Sequence, residues 1–374
     1  MHDLVIKNGK NIKGDSLEVA VTDGKISFIG PHFSFDAKET FDAKGAIISA
    51  GWIDSHVHCF ETLNLYYDFP DEIGVTKGVT TVIDAGSSGE NTIKDFYELA
   101  KKVKTNVFAL MNISKYGIIK QDELADLSNI DEERNIERVH ELSDFIVGLK
   151  ARMSKTIIGN NGINPLKLAK ALQKKVNLPL MVHIGSNPPE LEDIFAELEA
   201  GDIVTHCFNG KPNGILDAYG HIKDFVKKAY ERGIHFDIGH GTDSFNFNVA
   251  RKALKENIKA QSISTDIYFR NRKGGPVYDL STTLSKLLKI GYSLEEIITS
   301  VTTVPADTFH LKNKGKLALG YDGDLTLFEV TCKKQELVDS NGNIEECEEI
   351  IRPIACAVAG KIYYSSSQRK DEKR

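Results

Sequence analysis

The first fifty residues alternate apolar and polar side chains in short runs: "DLVIKNGK", "LEVAVTDGKISFIG" and "ETFDAKGAIISA". Alternation with a period of two marks half-buried strands, and the "NGK" and "DGK" steps carry hairpin turn chemistry. The same texture returns late in the chain, in "GYDGDLTLFEV" and "PIACAVAGKIYYS". The two ends are therefore expected to pair into one small composite β-sandwich domain, residues 1–48 with 316–374. The final "SSSQRKDEKR" is polar and charged, and is expected to fray beyond about residue 365.

Between the ends the period changes. Short apolar runs alternate with amphipathic stretches such as "ENTIKDFYELAKKV", "NPLKLAKALQKKV" and "YGHIKDFVKKAYERG". Eight runs read as strands: "GWIDSHVH", "VTTVIDAG", "NVFALMN", "FIVGLKAR", "LPLMVHIG", "DIVTHC", "IHFDIGH" and "QSISTD". Repeated strand–helix units imply an α/β fold with a parallel sheet covered by helices. Eight units over roughly 260 residues match a closed (β/α)8 TIM barrel, placed at residues 49–315. An open doubly wound sheet is the alternative. No GxGxxG follows the first strand and no GxxxxGK[ST] occurs, so dinucleotide and P-loop binding lack support.

Composition narrows the partners. Of 374 residues, 41% are hydrophobic and 27% charged, with a net charge of −6 and no large basic block outside the tail. Phosphate binding needs clustered Lys and Arg, so nucleic acid is not an expected partner. No apolar run reaches the roughly 18 to 20 residues that span a bilayer, so no membrane partner is expected either. The opening "MHDLVIKNGKNIKGDS" lacks the pattern of a secretion signal. Cys59, Cys207, Cys332, Cys347 and Cys356 are scattered without CxxC spacing. A reduced, cytoplasmic protein is the expectation.

Chemistry gathers at the strand ends, where a barrel places its functional groups. His56 and His58 alternate on the first strand and so point the same way. The fourth strand ends with Lys150, the fifth with His183, the sixth with His206 and the eighth with Asp266. Imidazoles and carboxylates suit zinc and similar divalent ions. Lys150 has two readings: an ordinary ion pair near the mouth, or a carbamate formed with carbon dioxide that bridges two metals. A low-dielectric setting favours the neutral amine that carbamate formation needs. Asp54 shares the histidines' parity but lies deeper, as a hydrogen-bond partner. Cys59 and Cys207 point to the opposite face and read as packing. His240, ending the seventh strand, either contacts substrate or braces a loop. Tyr116, past the third strand, is a candidate donor to a substrate oxyanion or a plain surface tyrosine. Asn209 either touches substrate or makes a turn.

"GWIDSHVH" with Lys150, His183, His206 and Asp266 resembles the binuclear amidohydrolase superfamily, which includes dihydroorotases, hydantoinases, urease and phosphotriesterases. The resemblance covers nearly the whole chain. It implies that His56, His58 and Asp266 hold the more buried of two divalent ions, with His183 and His206 holding the other. Lys150 would bridge them as a carbamate, and Asp266 would shuttle the proton. Zinc is the first expectation for the ions, and manganese, cobalt and iron suit the same ligands. The implied reaction is attack on a carbonyl by hydroxide held between the metals. "GLKARMS", "FDIGHGTDSF" and "GGPVYDLSTTLSKLL" are similar to a branch that deacylates O-acyl hydroxy acids or N-acyl amino acids. A small-molecule ester or amide bearing a carboxylate is thus the implied substrate, with Arg152, Arg270 and Arg272 as candidate carboxylate binders, the last two reading equally as part of a solvated loop. Cyclic-amide hydrolysis (dihydroorotase- or hydantoinase-like) and purine deamination are the alternatives. The oligomeric state is open, a homo-oligomer included.

Overall fold

The turn signals near the N-terminus resolve unequally in the computed structural model, which describes residues 1–32, 34, 36–119 and 121–366. "DGK" forms the tight turn between β2 (Ser16–Thr22) and β3 (Lys25–Gly30), with Asp23 at φ 51° and Gly24 at φ 72°. Positive φ at both central residues matches the twist of the paired strands. "NGK" does not turn. β1 (His2–Lys10) runs straight through it, and Asn8, at φ 56°, takes up a register shift between Ile6 and Gly9. Asparagine tolerates the left-handed region, so the turn signal here became a bulge. The chain reverses one step later, where Asn11 Oδ1 accepts the backbone N–H groups of Lys13 and Asp15. β4 (Ala37–Asp42) and β5 (Ile47–Ala50) then both lie parallel to β1.

The central segment carries seven of the eight expected strands: β6 (Trp52–Val57), β7 (Val79–Ala85), β8 (Asn106–Asn112), β9 (Ile146–Met153), β10 (Leu180–Ile184), β11 (Ile203–Thr205) and β12 (His235–Asp237). They form one curled parallel sheet in sequence order. Amphipathic helices, among them Ile93–Ala100, Asn164–Val176 and Phe247–Lys255, bury their apolar faces in the core around it. The eighth run, "QSISTD", is not a continuous strand. Together with the residue that follows, it makes single parallel bridges to each edge, Ser262 with Asp237 and Ile267 with Val57. Its side chains explain the interruption. Ser262 and Ser264 donate to Asp237, Thr265 donates to Asp54, and Asp266 sits at φ 50°. Side-chain hydrogen bonds and a left-handed residue replace part of the ladder.

The C-terminal strands are β13 (Leu325–Thr331), β14 (Gln335–Val338), β15 (Ile344–Cys347), β16 (Ile350–Val358) and β17 (Lys361–Tyr364). β5 pairs antiparallel with β13, so both chain ends enter one hydrogen-bonded sheet, ordered β17-β16-β13-β5-β1-β2-β3 with β4 on β1. The expected sandwich takes the form of this single eight-stranded sheet, because the two ends meet edge to edge. Leu4, Ile6, Val19, Ile48, Leu325 and Leu327 fill its core. β14 and β15 form a separate hairpin whose tip reaches the loop after β12. Asp339 accepts the N–H of Phe247 at 3.0 Å, and Ser340 Oγ donates to Gly241 O at 3.0 Å. Residues 367–374, where fraying was expected, lie outside the described residues. Among the described residues, no helix is long and apolar enough to cross a membrane.

Thr326 joins the two sheets. Its buried hydroxyl accepts the N–H of Trp52 at 3.1 Å and donates to Gly78 O at 2.8 Å. Thr326→Val keeps the shape and leaves buried polar groups unpaired, so urea denaturation should show a loss of about 2 kcal/mol. An unchanged midpoint would remove Thr326 from the junction.

Candidate metal centre

A single carboxylate sets the geometry of the site. Asp237, at the end of β12, is fully buried and accepts from Thr205 Oγ1 (2.7 Å), Ser262 Oγ (2.6 Å) and Ser264 Oγ (2.7 Å). Thr205 Oγ1 also lies 2.8 Å from His56 Nδ1. A hydroxyl has one proton, and Thr205 gives it to Asp237, so His56 must donate from Nδ1–H. The Nε2 lone pair of His56 is thereby turned inward. His206 is fixed in the same way: its Nδ1 lies 2.6 Å from Gly239 O, which can only accept. Gly239, at φ 46°, allows this approach, since a Cβ there would fall 2.8 Å from His206 Nδ1 and 3.1 Å from His56 Nδ1. His58 Nδ1 lies 3.0 Å from Ser87 Oγ, again leaving Nε2 on the inner side.

These inward atoms converge. Asp266 Oδ1 lies 3.4 Å from His56 Nε2 and 3.0 Å from His58 Nε2. One donor atom from each of His56, His58 and Asp266 falls within 4.8 Å of the others. Lys150 Nζ lies 3.2 Å from His56 Nε2 and the same distance from Met181 Sδ. Gly86 leaves room for it, because a Cβ there would meet Lys150 Cγ at 2.7 Å. The His206 ring is 5.1 Å from that of His56 and 4.5 Å from that of His183, which it meets edge-on. His183 Nε2 lies 3.0 Å from Ser154 Oγ. All six strand-end residues thus surround one space. His206 (φ 70°) and Asp266 (φ 50°) are both left-handed, a conformation that costs energy and is held by the surrounding hydrogen bonds.

Burial decides the charge states. It holds His56 and His183 well below the usual imidazole range, with the charge of Lys150 adding at His56 and that of His206 at His183. His206 falls to about 4, chiefly by desolvation. Desolvation also brings Lys150 down to about 7, against the pull of Asp266 and Asp237. Burial pushes Asp266 up, but the hydrogen bond from His58 and the nearby His206 and Lys150 charges outweigh it, leaving the carboxyl lowered. Neutral His56 and His206, each with its Nε2 lone pair turned inward, stand beside an ionised carboxylate and a near-neutral amine, a set of donors suited to a divalent cation. The donor set fits.

A cleft of about 290 Å³ opens onto this space, lined by Arg152, Ser154, His183, Lys211, Asp266 and Tyr268 among others. Arg152 is in the cleft, and Glu123 grips it through both carboxylate oxygens at 2.6 and 2.7 Å. The remaining expected substrate contacts lie elsewhere. Arg272 forms a buried bidentate pair with Asp68 at 2.8 and 2.7 Å, so an internal carboxylate takes the fork that substrate was expected to take. Arg270 is exposed on the short helix Phe269–Gly274 and does not line the cleft. Tyr116, 44% exposed, lines a separate surface depression with Ile119 and Asp122. Asn209 is buried and ties its own loop, donating to His206 O and accepting from Lys211 N. His240 is the brace: its Nε2 meets Lys286 Nζ at 2.9 Å and its ring stacks on Phe245. Asp54 supports the eighth segment through Thr265, as its depth implied. Cys59 and Cys207 are buried packing residues.

Asp237, Thr205, Ser87, Glu123, Asp68 and Lys211 escaped the sequence reading. Asp237 carried a readable signal, since it lies three residues before His240 inside the run "IHFDIGH". Glu123 and Asp68 carried none, because each lies in a loop remote in sequence from the arginine it holds.

Residues 317–364 match a family described as the deacetylase-like composite domain. A deacetylase of Enterococcus faecalis (strain ATCC 700802 / V583) is 57% identical over 365 residues, 97% of this chain and 99% of the relative. A crystal structure described as an adenine deaminase superposes with a TM-score of 0.96 at 56% identity, covering 98% of this chain and 100% of that one. Another, described as a dihydroorotase, gives 0.91 at 33% identity, with 98% of each chain covered. This chain is a hydrolase that belongs to the deacetylase-like family of the amidohydrolase superfamily.

Proposed function

We propose that the chain is a metal-dependent acyl hydrolase of small carboxylate-bearing molecules, O-acyl hydroxy acids or N-acyl amino acids. The supporting observation is Lys150, fully buried, brought to about 7 and facing His56 Nε2 at 3.2 Å inside the imidazole cage. A lysine brought toward neutrality there could take up carbon dioxide and become an anionic bridge. His56, His58 and Asp266 would hold one ion, His183 and His206 a second, and the Lys150 carbamate both. Two zinc ions, when bound, would supply Lewis acidity to an acyl carbonyl and make water nucleophilic near neutral pH.

The chain's own groups do the rest. Asp266 Oδ1 faces His56 and His58, where an ion would sit, which leaves Oδ2 as the atom to carry the proton from water to the leaving oxygen or nitrogen. Arg152, held rigid by Glu123, forms part of the cleft wall against which the substrate lies. The carrier is a closed eight-unit barrel at residues 49–315 with the segment 262–267 in the eighth place, a reading supported by its bridges to both edge strands. Residues 1–48 and 316–374 form the companion unit. Five unpaired cysteines, four of them buried, agree with a reducing, cytoplasmic setting.

Purified, metal-loaded protein screened against O-acyl hydroxy acids, N-acyl amino acids, cyclic amides and purines should release carboxylic acid from the first two classes. Ammonia from adenine would instead support the activity in the name of the related crystal structure. Lys150→Ala should lose at least about 10³-fold in kcat together with one equivalent of metal, read by rate and elemental analysis. Full activity and full metal content in that variant would remove the bridge. Thr205→Val frees His56 Nδ1 and should weaken metal retention about 10- to 100-fold against a competing chelator.

A further inference from the structure

The cations in and beside the cleft differ in their partners. Arg152 is neutralised by Glu123, Arg272 by Asp68 and Glu72, and Lys150 belongs to the cage. Lys211 also lines the cleft and is half-buried there. Among the described residues, no carboxylate lies within 4.0 Å of its ammonium and no acceptor hydrogen-bonds to it. Asp243 is the one acid of the lining besides Asp266, and it makes no ion pair with Lys211.

The position of Lys211 is fixed. Its backbone N–H donates to Asn209 Oδ1 at 3.0 Å, and its carbonyl accepts from Gly214 N at the same distance. Asn209 in turn donates to the carbonyl of His206 at 2.9 Å. The loop is therefore anchored to a residue of the cage, five positions upstream. The charge of Lys211 reaches the imidazoles of His183 and His206, both of which it lowers. An ammonium held on a rigid loop, partly desolvated and lacking a counter-ion, gains most from an anion that arrives with the substrate.

We infer that Lys211 is the residue that receives the substrate carboxylate and selects anionic over neutral acyl compounds. The inference rests on the acyl-hydrolase reading above and assigns the specificity that reading leaves open. Hydroxyls of Ser186, Thr242 and Ser244 are among the other polar groups that line the cleft. Arg152, whose fork is already filled by Glu123, then shapes the wall and does not bind the anion.

The test compares kcat/KM for an N-acetyl amino acid, or O-acetyl hydroxy acid, with that for its uncharged carboxamide. In the wild type the carboxylate should be preferred. Lys211→Met should cut that preference at least about tenfold, mainly through KM, whereas Lys211→Arg should retain most of it. Lys211→Gln gives the same readout if the apolar replacement disturbs the loop, and metal content reports whether each variant is intact. An unchanged preference in K211M and K211Q overturns the assignment while leaving acyl hydrolysis standing. So does an equal loss with both substrates. Failure of the wild type to cleave any acyl compound overturns the underlying reading as well, and is seen before a variant is made.

Discussion

The hydrogen bonds converging on Asp237 are the constraint on which the site depends. Three hydroxyls from two different segments give their protons to one buried carboxylate, and one of those hydroxyls then has only lone pairs left for His56. Orientation of an imidazole is thereby settled by a proton count and not by packing alone. The same carboxylate ties β11, β12 and the segment 262–267 to β6, so the parts that carry His206, Asp266 and His56 are drawn together by one group. Unpaired, it would be costly at zero exposure; with three donors it becomes the rigid centre of the sheet's open side.

Burial does the complementary work. Water excluded from the cage keeps His56, His183 and His206 neutral and brings the lysine toward neutrality, which lowers the repulsion a cation would meet there. Left-handed backbone at His206 and Asp266 shows where the chain is bent away from its easiest conformation to aim these side chains. Their neighbours hold them there: Asn271 Nδ2 donates to Asp266 O, and Asn209 Nδ2 to His206 O.

The cage was legible in the sequence because side-chain direction in a strand follows from parity. His56, His58, Lys150, His183, His206 and Asp266 were found that way, as was the buried role of Asp54. Parity gives direction but not partners. Arg152 and Arg272 were read as free forks because nothing local announces that Glu123 lies across a loop or that Asp68 lies 204 positions away. Tyr116, read as either a substrate contact or a surface tyrosine, is exposed: it lies four residues beyond Asn112, the end of β8, where strand periodicity no longer constrains direction. The eighth strand was overestimated, since "QSISTD" has the alternation of a strand but spends its serines on Asp237. The "NGK" step had turn chemistry and used it for a bulge.

The grip of Asp339 and Ser340 on the loop beside His240 has a consequence for how the protein comes into being. These residues leave the ribosome after all six strand-end residues of the candidate centre have emerged. A nascent chain carrying all six cage residues still lacks the hairpin that steadies Gly241, and it lacks the strand that pairs with Ile47–Ala50. The loop beside His240 is therefore steadied only once the segment around residue 340 has been made, later than the strands that carry the six residues of the cage.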